Sequence, residues 1–224
     1  MDRYSRNRIY LSNCEQQKLK NFSIVIAGSG IGSNIAECAL RTGFEKICVI
    51  DGDLIENSNL NRQNYTEEQI GTSKATALYE RLKSINAEIS FINEFISSNN
   101  MPETGRYNVG WGGLVTVLSP KGPLLKSIKK SDNFNELDVV EYAASYQRYW
   151  QKPQIWLEEA ISQYRNEELT LPPPQLAIGS WYVAAMCTHL LVKIATGKFY
   201  KKFPEFYLSS LFQEEENGKN SILK

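Results

Sequence analysis

This chain is poor in the residues that hold metals or staple folds. It has one histidine and four cysteines in 224 residues, and they are scattered. Cys14, Cys38, Cys48 and Cys187 show no CxxC spacing, and His189 has no ligand partner nearby, so neither a structural zinc nor a disulfide frame is expected. Excess charge is missing too: 25 Lys and Arg balance 25 Asp and Glu, leaving no field that would favour nucleic acid or anionic lipid. No signal-peptide pattern follows Met1-Asp2-Arg3, and no apolar run reaches the roughly 18 residues of a spanning helix. The expectation is a cytoplasmic protein with reduced, mostly buried thiols, no metal-ligand set, and neither nucleic acid nor membrane as a partner. The length suffices for one substantial core.

What the chain does have is concentrated between Ser23 and Lys74. An apolar β-branched run, Ile24-Val25-Ile26, enters a turn of small residues, Ala27-Gly28-Ser29-Gly30-Ile31-Gly32, and a helical segment follows from Asn34 to Thr42. A second apolar run, Ile47 to Ile50, ends in Asp51. This is the order of a βαβ nucleotide-binding unit: a buried strand, a turn whose N–H groups can meet phosphates, a helix N-terminus, and an acid about 20 residues on for ribose hydroxyls. Alone, it specifies no more than a nucleotide.

The residues after Asp51 discriminate further. Asp51-Gly52-Asp53 leads to Ser58-Asn59-Leu60-Asn61-Arg62-Gln63, and then to Ile70-Gly71 and Lys74. A Gly-rich turn, a D-x-D strand end, an S-N-L-x-R-Q segment and a G-x-x-K helix start, in that order, resemble the ThiF/MoeB/HesA family, relatives of ubiquitin-activating enzymes. The absence of CxxC pairs places the resemblance with its zinc-free branch. Two positions depart from the family's turn: Ala27 and Ser29 stand where its first two glycines fall, while Gly30 and Gly32 keep the pattern. Close phosphate approach survives if Ala27 and Ser29 have negative φ.

The resemblance implies a fold and a site. The fold class expected is α/β, with a Rossmann-like, mostly parallel sheet flanked by helices and a C-terminal extension of helices and strand. Catalysis would fall to Arg62, Lys74 and Arg6, the last from Arg3-Tyr4-Ser5-Arg6, which in the family reaches across a homodimer to the other subunit's ATP. Nucleotide contacts would come from Gly28, Gly30, Gly32, Asp51, Asp53, Asn59 and Gln63, with Asp51 on the ribose and Asp53 positioning Mg2+ or ordering its loop. Arg62 offers a planar fork of donors and Lys74 a point charge; read as residue types alone, both are ordinary surface cations.

Further along, Lys74 to Ile85 carries a helical stripe of Ala77, Leu78, Leu82 and Ile85, and Asn86 to Phe91 leads into a third strand. Against the family's pattern about 30 residues, a whole α/β step, are then absent before Tyr107. The favoured reading is that this sequence omits residues near 97–106 and that its numbering runs on across the gap; the other is that the chain lacks the unit. Gly112 to Leu118 reads as the following strand, Asn135–Gln151 and Pro153–Glu168 as amphipathic helices, and Ser180–Thr196 as the family's returning helix, with Cys187 and His189 as packing residues. The helices' aromatics, among them Tyr142, Tyr146, Trp156 and Tyr164, suit packing or the wall of a partner's groove. Phe203 to Phe212 suggests a terminal strand.

The expected layout is an N-terminal arm (1–20), a nucleotide-binding domain (21–120), and the C-terminal half of that domain (121–224), which includes the returning helix (175–197). The activity implied is ATP-dependent adenylation of a carboxylate, the C-terminus of a ubiquitin-like or sulfur-carrier protein or a peptide, with pyrophosphate released. Two other readings stay open: a catalytically impaired nucleotide-binding scaffold, favoured by Ala27, Ser29 and the missing unit's aspartate, and an NAD(P)-dependent Rossmann oxidoreductase.

Overall fold

The structure is a computed structural model that describes residues 3–92, 103–128, 135–167 and 171–212. It divides into two compact units, residues 1–98 with 184–200, and residues 99–183 with 201–224. The gap expected near 97–106 falls largely on residues 93–102, which lie outside the described residues.

The first unit is built on a parallel sheet of β1 (Ser23–Ala27), β2 (Lys46–Ile50) and β3 (Ser90–Ile92), in the spatial order β1-β2-β3. Ile24 lies opposite Ile47 and Ile26 opposite Val49. Burial alternates along β1, with Ile24 and Ile26 inward, whereas the interior of β2 is buried throughout, as befits a strand paired on both sides. Three helices follow the sequence pattern: α1 (Asn13–Asn21), α2 (Gly30–Thr42) and α3 (Lys74–Ile85). α1 starts at a capping box in which Ser12 accepts from the Glu15 N–H while the Glu15 carboxylate accepts from the Ser12 N–H. α2 buries Ile35, Ala36, Ala39 and Leu40, and α3 buries Leu78 and Leu82. Each of these leucines, fully removed from water, contributes about 1.5–3 kcal/mol of transfer free energy. Gly32 permits α2 to lie close to β1, since a Cβ there would come within 2.6 Å of Ile26 Cγ2.

The N-terminal arm is folded onto this unit. The Tyr4 hydroxyl donates to Leu40 O, and Asn7 Nδ2 donates to Thr42 O and to Gln16 Oε1.

The second unit carries an antiparallel sheet of β4 (Glu103–Asn108), β5 (Gly112–Leu118) and β6 (Tyr207–Ser210), in the order β4-β5-β6. β5 is the middle strand, buried from Gly112 to Val117, and a Cβ at Gly112 would meet Ser209 O at 2.3 Å. α4 (Glu136–Tyr149) begins at an Asn135–Asp138 capping box, and α5 (Ile155–Asn166) follows it. Leu114, Val139, Ala143 and Phe206 form one core of this unit; Ala144, Trp156 and Leu157 form another. Tyr142 and Tyr146 spend their rings on Phe206, so these aromatics serve packing.

α6 (Ala177–Thr196) is 20 residues long, and the chain passes from one unit to the other within it. By length and composition it could cross a membrane, with mean hydropathy 1.3. That corrects the expectation that no apolar stretch reaches this length: Ser180, Thr188, His189 and Lys193 interrupt the run, yet the helix stays apolar on average. Its buried residues, among them Ser180, Val183, Ala184, Cys187, Thr188 and Leu190, recur on one side at helical spacing, the stripe of a packed helix. Cys187 packs as expected, whereas His189, two positions on, falls off the stripe and is exposed. Of the other thiols only Cys48 is buried; Cys38 is half-buried and Cys14 exposed, because Cys14 sits on the outer face of α1.

Candidate functional site

The turn between β1 and α2 is the centre of the site. Gly28 takes φ +81°, the left-handed conformation that a side chain would strain. Ser29 has φ −99°, and Ala27 is an ordinary strand residue, so neither departure from the glycine pattern forces the backbone. The Gly28 N–H donates to Ile50 O at 2.8 Å, tying the turn to the end of β2. Gly30 opens α2, and Gln63 lies over it: a Cβ at Gly30 would stand 3.3 Å from Gln63 Nε2. Gln63 Oε1 is buried there without a hydrogen-bond partner. An unsatisfied acceptor beside a helix N-terminus is costly, and a ligand that shifts the side chain would relieve it.

Asp51 closes the other side. Its Oδ2 accepts from both the N–H (2.5 Å) and the hydroxyl (2.8 Å) of Ser29, and its Oδ1 accepts from the Asp53 N–H at 2.8 Å. Burial would raise the Asp51 carboxyl, but these hydrogen bonds, helped by the charge of Lys74, outweigh it and hold the pKa below the usual carboxylate range. The serine in a glycine position therefore anchors the acid.

Lys74 is carried to this point by a short antiparallel contact, a bridge from Leu54 to Ser73, with the Lys74 N–H donating to Asp53 O at 3.0 Å. The Lys74 side chain is 9% exposed and its Nζ sits 2.9 Å from Asp53 Oδ2, on a carboxylate that is itself 74% exposed. Tyr65 completes the frame, its hydroxyl donating to Ser29 O (2.8 Å) and to Lys74 O (3.3 Å). Desolvation pushes this phenol up to about 12, so it remains a donor at any physiological pH. Asn64 joins the same frame, its N–H donating to Ser33 Oγ at 3.0 Å.

Asn59 ends a 3-10 turn, Asn57–Asn59, and Arg62 lies three residues beyond it. Asn59 is buried, its Oδ1 accepting from the Glu56 N–H; Arg62 Nη1 donates to Ser58 O at 2.7 Å and Asn61 Oδ1 at 2.8 Å. The structure thus gathers Gly28, Gly30, Gln63, Asp51, Asp53 and Lys74 around one turn. Gly32 supports it from within α2 by close packing. Arg6 is elsewhere: the arm that carries it is pinned to the C-terminal end of α2, and the helix's 13 residues span roughly 20 Å.

Sequence reasoning missed Ser29 and Tyr65 as parts of the site. Ser29 was visible as a departure from the glycine pattern, and its pairing with Asp51 follows once turn and strand end are adjacent. Tyr65 carries no local signal; only the tertiary fold brings it to Ser29.

A left-handed glycine between a parallel strand and a helix, with an acid ending the next strand, defines a Rossmann-like α/β unit. Residues 4–106 match the model of the ThiF family. It is 31% identical over 150 residues to ubiquitin-like modifier-activating enzyme 5 of Dictyostelium discoideum, a match covering 66% of this chain and 37% of that protein. It is 39% identical over 93 residues to the sulfur carrier protein ThiS adenylyltransferase of Bacillus subtilis (strain 168), covering 39% of this chain and 28% of that protein. The chain therefore spans about a third of the length of these curated relatives. In fold it is similar to E. coli MccB crystallised with ATP, with TM-score 0.63 and 20% identity over 94% of this chain and 72% of that one.

Proposed function

We propose that the chain is an ATP-dependent adenylyltransferase, which activates the C-terminal carboxylate of a ubiquitin-like or sulfur-carrier protein, or of a peptide. The observation that carries this reading is Asp51 hydrogen-bonded to Ser29 of the β1–α2 turn, with the Lys74–Asp53 pair next to it, in a segment that matches the ThiF family. Relatives named as a ThiS adenylyltransferase and a ubiquitin-like modifier-activating enzyme, and a neighbour crystallised with ATP, support it.

In this reading the turn's N–H groups and the α2 N-terminus take phosphate oxygens, and the lone pairs of Asp51 not used by Ser29 and Asp53 accept from ribose hydroxyls. The substrate carboxylate attacks the α-phosphorus; an oxygen–phosphorus bond forms, the bond to the β-phosphate oxygen breaks, and pyrophosphate leaves. No proton transfer is required, so the protein's contribution is position and charge. Lys74 exchanges Asp53 for phosphate, and Arg62 supplies the second positive group. Arg6 lies too far along α2 to reach its own site, which is consistent with service to a partner's site in a homodimer. Among the described residues no group of three or more acidic, His or Cys side chains converges, so a magnesium ion would be held by Asp53 together with the nucleotide's phosphates. When bound, the ion neutralises charge on the leaving pyrophosphate. Localisation to the cytoplasm is part of the same proposal.

A second reading, a nucleotide-binding scaffold without turnover, is favoured by one feature: Ser29 already occupies an oxygen of Asp51 with two hydrogen bonds. ATP–pyrophosphate exchange over a panel of carrier proteins and peptides separates the two. Exchange that disappears in Arg62→Ala and Lys74→Ala supports the enzyme; ATP binding with no exchange for any substrate supports the scaffold.

A further inference from the structure

The second unit carries a cleft of about 420 Å³, open to solvent on one side and within the size range of small-molecule sites. Its walls are Tyr107 to Trp111, from the end of β4 into the turn that follows, one face each of α4 and α5, and the chain from Pro173 to Leu176. We propose that this cleft binds a small molecule with an apolar body and a single ammonium group.

The apolar part of that chemistry follows from the lining, which includes Leu157, Ala160 and Leu176 and the rings of Tyr107, Trp111 and Tyr164. The charge follows from Glu136, the one charged side chain among the described lining residues, which makes no ion pair among the described residues. Tyr107 lies near it: burial pushes its phenol up to about 12, the Glu136 carboxylate adds to the rise, and the Arg106 charge opposes it. A carboxylate beside a neutral phenol, among aromatic faces, attracts a cation and repels an anion.

The walls are also held in place without a ligand. Asn108 Nδ2 donates to Leu176 O at 2.8 Å and to Ser180 Oγ at 3.0 Å, while its Oδ1 accepts from the Gly110 N–H at 2.9 Å. Gly179 closes against this knot, for a Cβ there would stand 2.7 Å from Gly110 O. The Tyr164 hydroxyl donates to Leu171 O at 2.9 Å and fixes the α5 wall to the segment that precedes the prolines. A pre-formed cavity loses little conformational entropy on binding.

The test uses the full chain and three matched probes, 4-phenylbutylamine, 4-phenylbutanol and 4-phenylbutanoate, titrated by tryptophan fluorescence and by calorimetry. The amine is expected to bind at least about tenfold more tightly than the alcohol, and the alcohol more tightly than the acid. Glu136→Gln should erase the amine's advantage while alcohol binding persists. Ala160→Trp, a change at an exposed position of α5 that fills the cavity, should remove binding of all three. Equal affinity for amine and acid, no amine binding at millimolar concentration, or full binding by Ala160→Trp would each overturn the proposal. So would a change of oligomeric mass in Ala160→Trp, since the cavity would then be a contact between copies. None of these readouts involves ATP, so they stand apart from the adenylation proposal.

Discussion

The two sheets of this protein hold their polar groups differently. At the ends of β1 and β2 the polar side chains are paired tightly and close in sequence, Ser29 with Asp51 across 22 residues and Lys74 with Asp53 across 21. Around the antiparallel sheet the structural ties reach much further, Asn108 to Leu176 across 68 residues and Ser210 to Trp111 across 99, and they frame an apolar cavity with a lone carboxylate. The first arrangement concentrates charge where a turn offers N–H groups. The second creates space. The parallel βαβ unit assembles its site from one short segment, whereas the cleft beside the antiparallel sheet draws its walls from residues spread between Tyr107 and Leu176.

The largest effect that would probe this contrast is a core truncation in each unit. Leu78→Ala in α3 and Leu114→Ala in β5 each leave a cavity at a fully buried site, and each should cost about 2–5 kcal/mol in urea unfolding. Hydrogen exchange should show the Leu78 variant loosening β1 and β2 more than β5, and the Leu114 variant the reverse. Loosening spread evenly over both sheets in either variant would break the comparison.

Glycine replacements come next. Gly32→Ala forces a Cβ to 2.6 Å from Ile26 and should destabilise by about 1–3 kcal/mol. Gly30→Ala meets only the flexible end of Gln63 at 3.3 Å and should cost less than about 1 kcal/mol. Thermal unfolding ranks the pair, and the opposite order would contradict the packing role given to Gly32.

The smallest effect is on pH. The Asp51 carboxyl is held below its unfolded value, so its hydrogen bonds contribute stability above the ordinary carboxylate range, lost as pH falls through the depressed pKa. Urea midpoints should therefore drop on acidification, and less steeply in Asp51→Asn. An identical acid limb in the two proteins would show that Ser29 does not hold this acid.

The contrast also governs what could be read without coordinates. α3 runs from Lys74 to Ile85, the bounds its stripe predicts, and β1, β2 and the Gly-rich turn fall where hydrophobic runs and small residues put them. These features are local, and so is the four-block pattern that carried the family resemblance. Gly112–Leu118 was legible as a strand, but its antiparallel partners were not, because pairing of Gly112 with Ser210 depends on a return that no short pattern encodes. The cavity was half legible: the aromatics of α4 and α5 were evident, yet only the fold separates Tyr142 and Tyr146, which pack on Phe206, from Tyr164, which faces open space.

The central claim, that the β1–α2 turn with Asp51 and Lys74 is an ATP site, is tested most directly by calorimetric titration of nucleotides onto the full chain. ATP should bind, 2′,3′-dideoxy-ATP should bind about tenfold more weakly through loss of the Asp51 hydrogen bonds, and Lys74→Ala should weaken both. Preference for NAD+ over ATP, or an ATP affinity that neither the missing hydroxyls nor Lys74→Ala alters, would contradict the account.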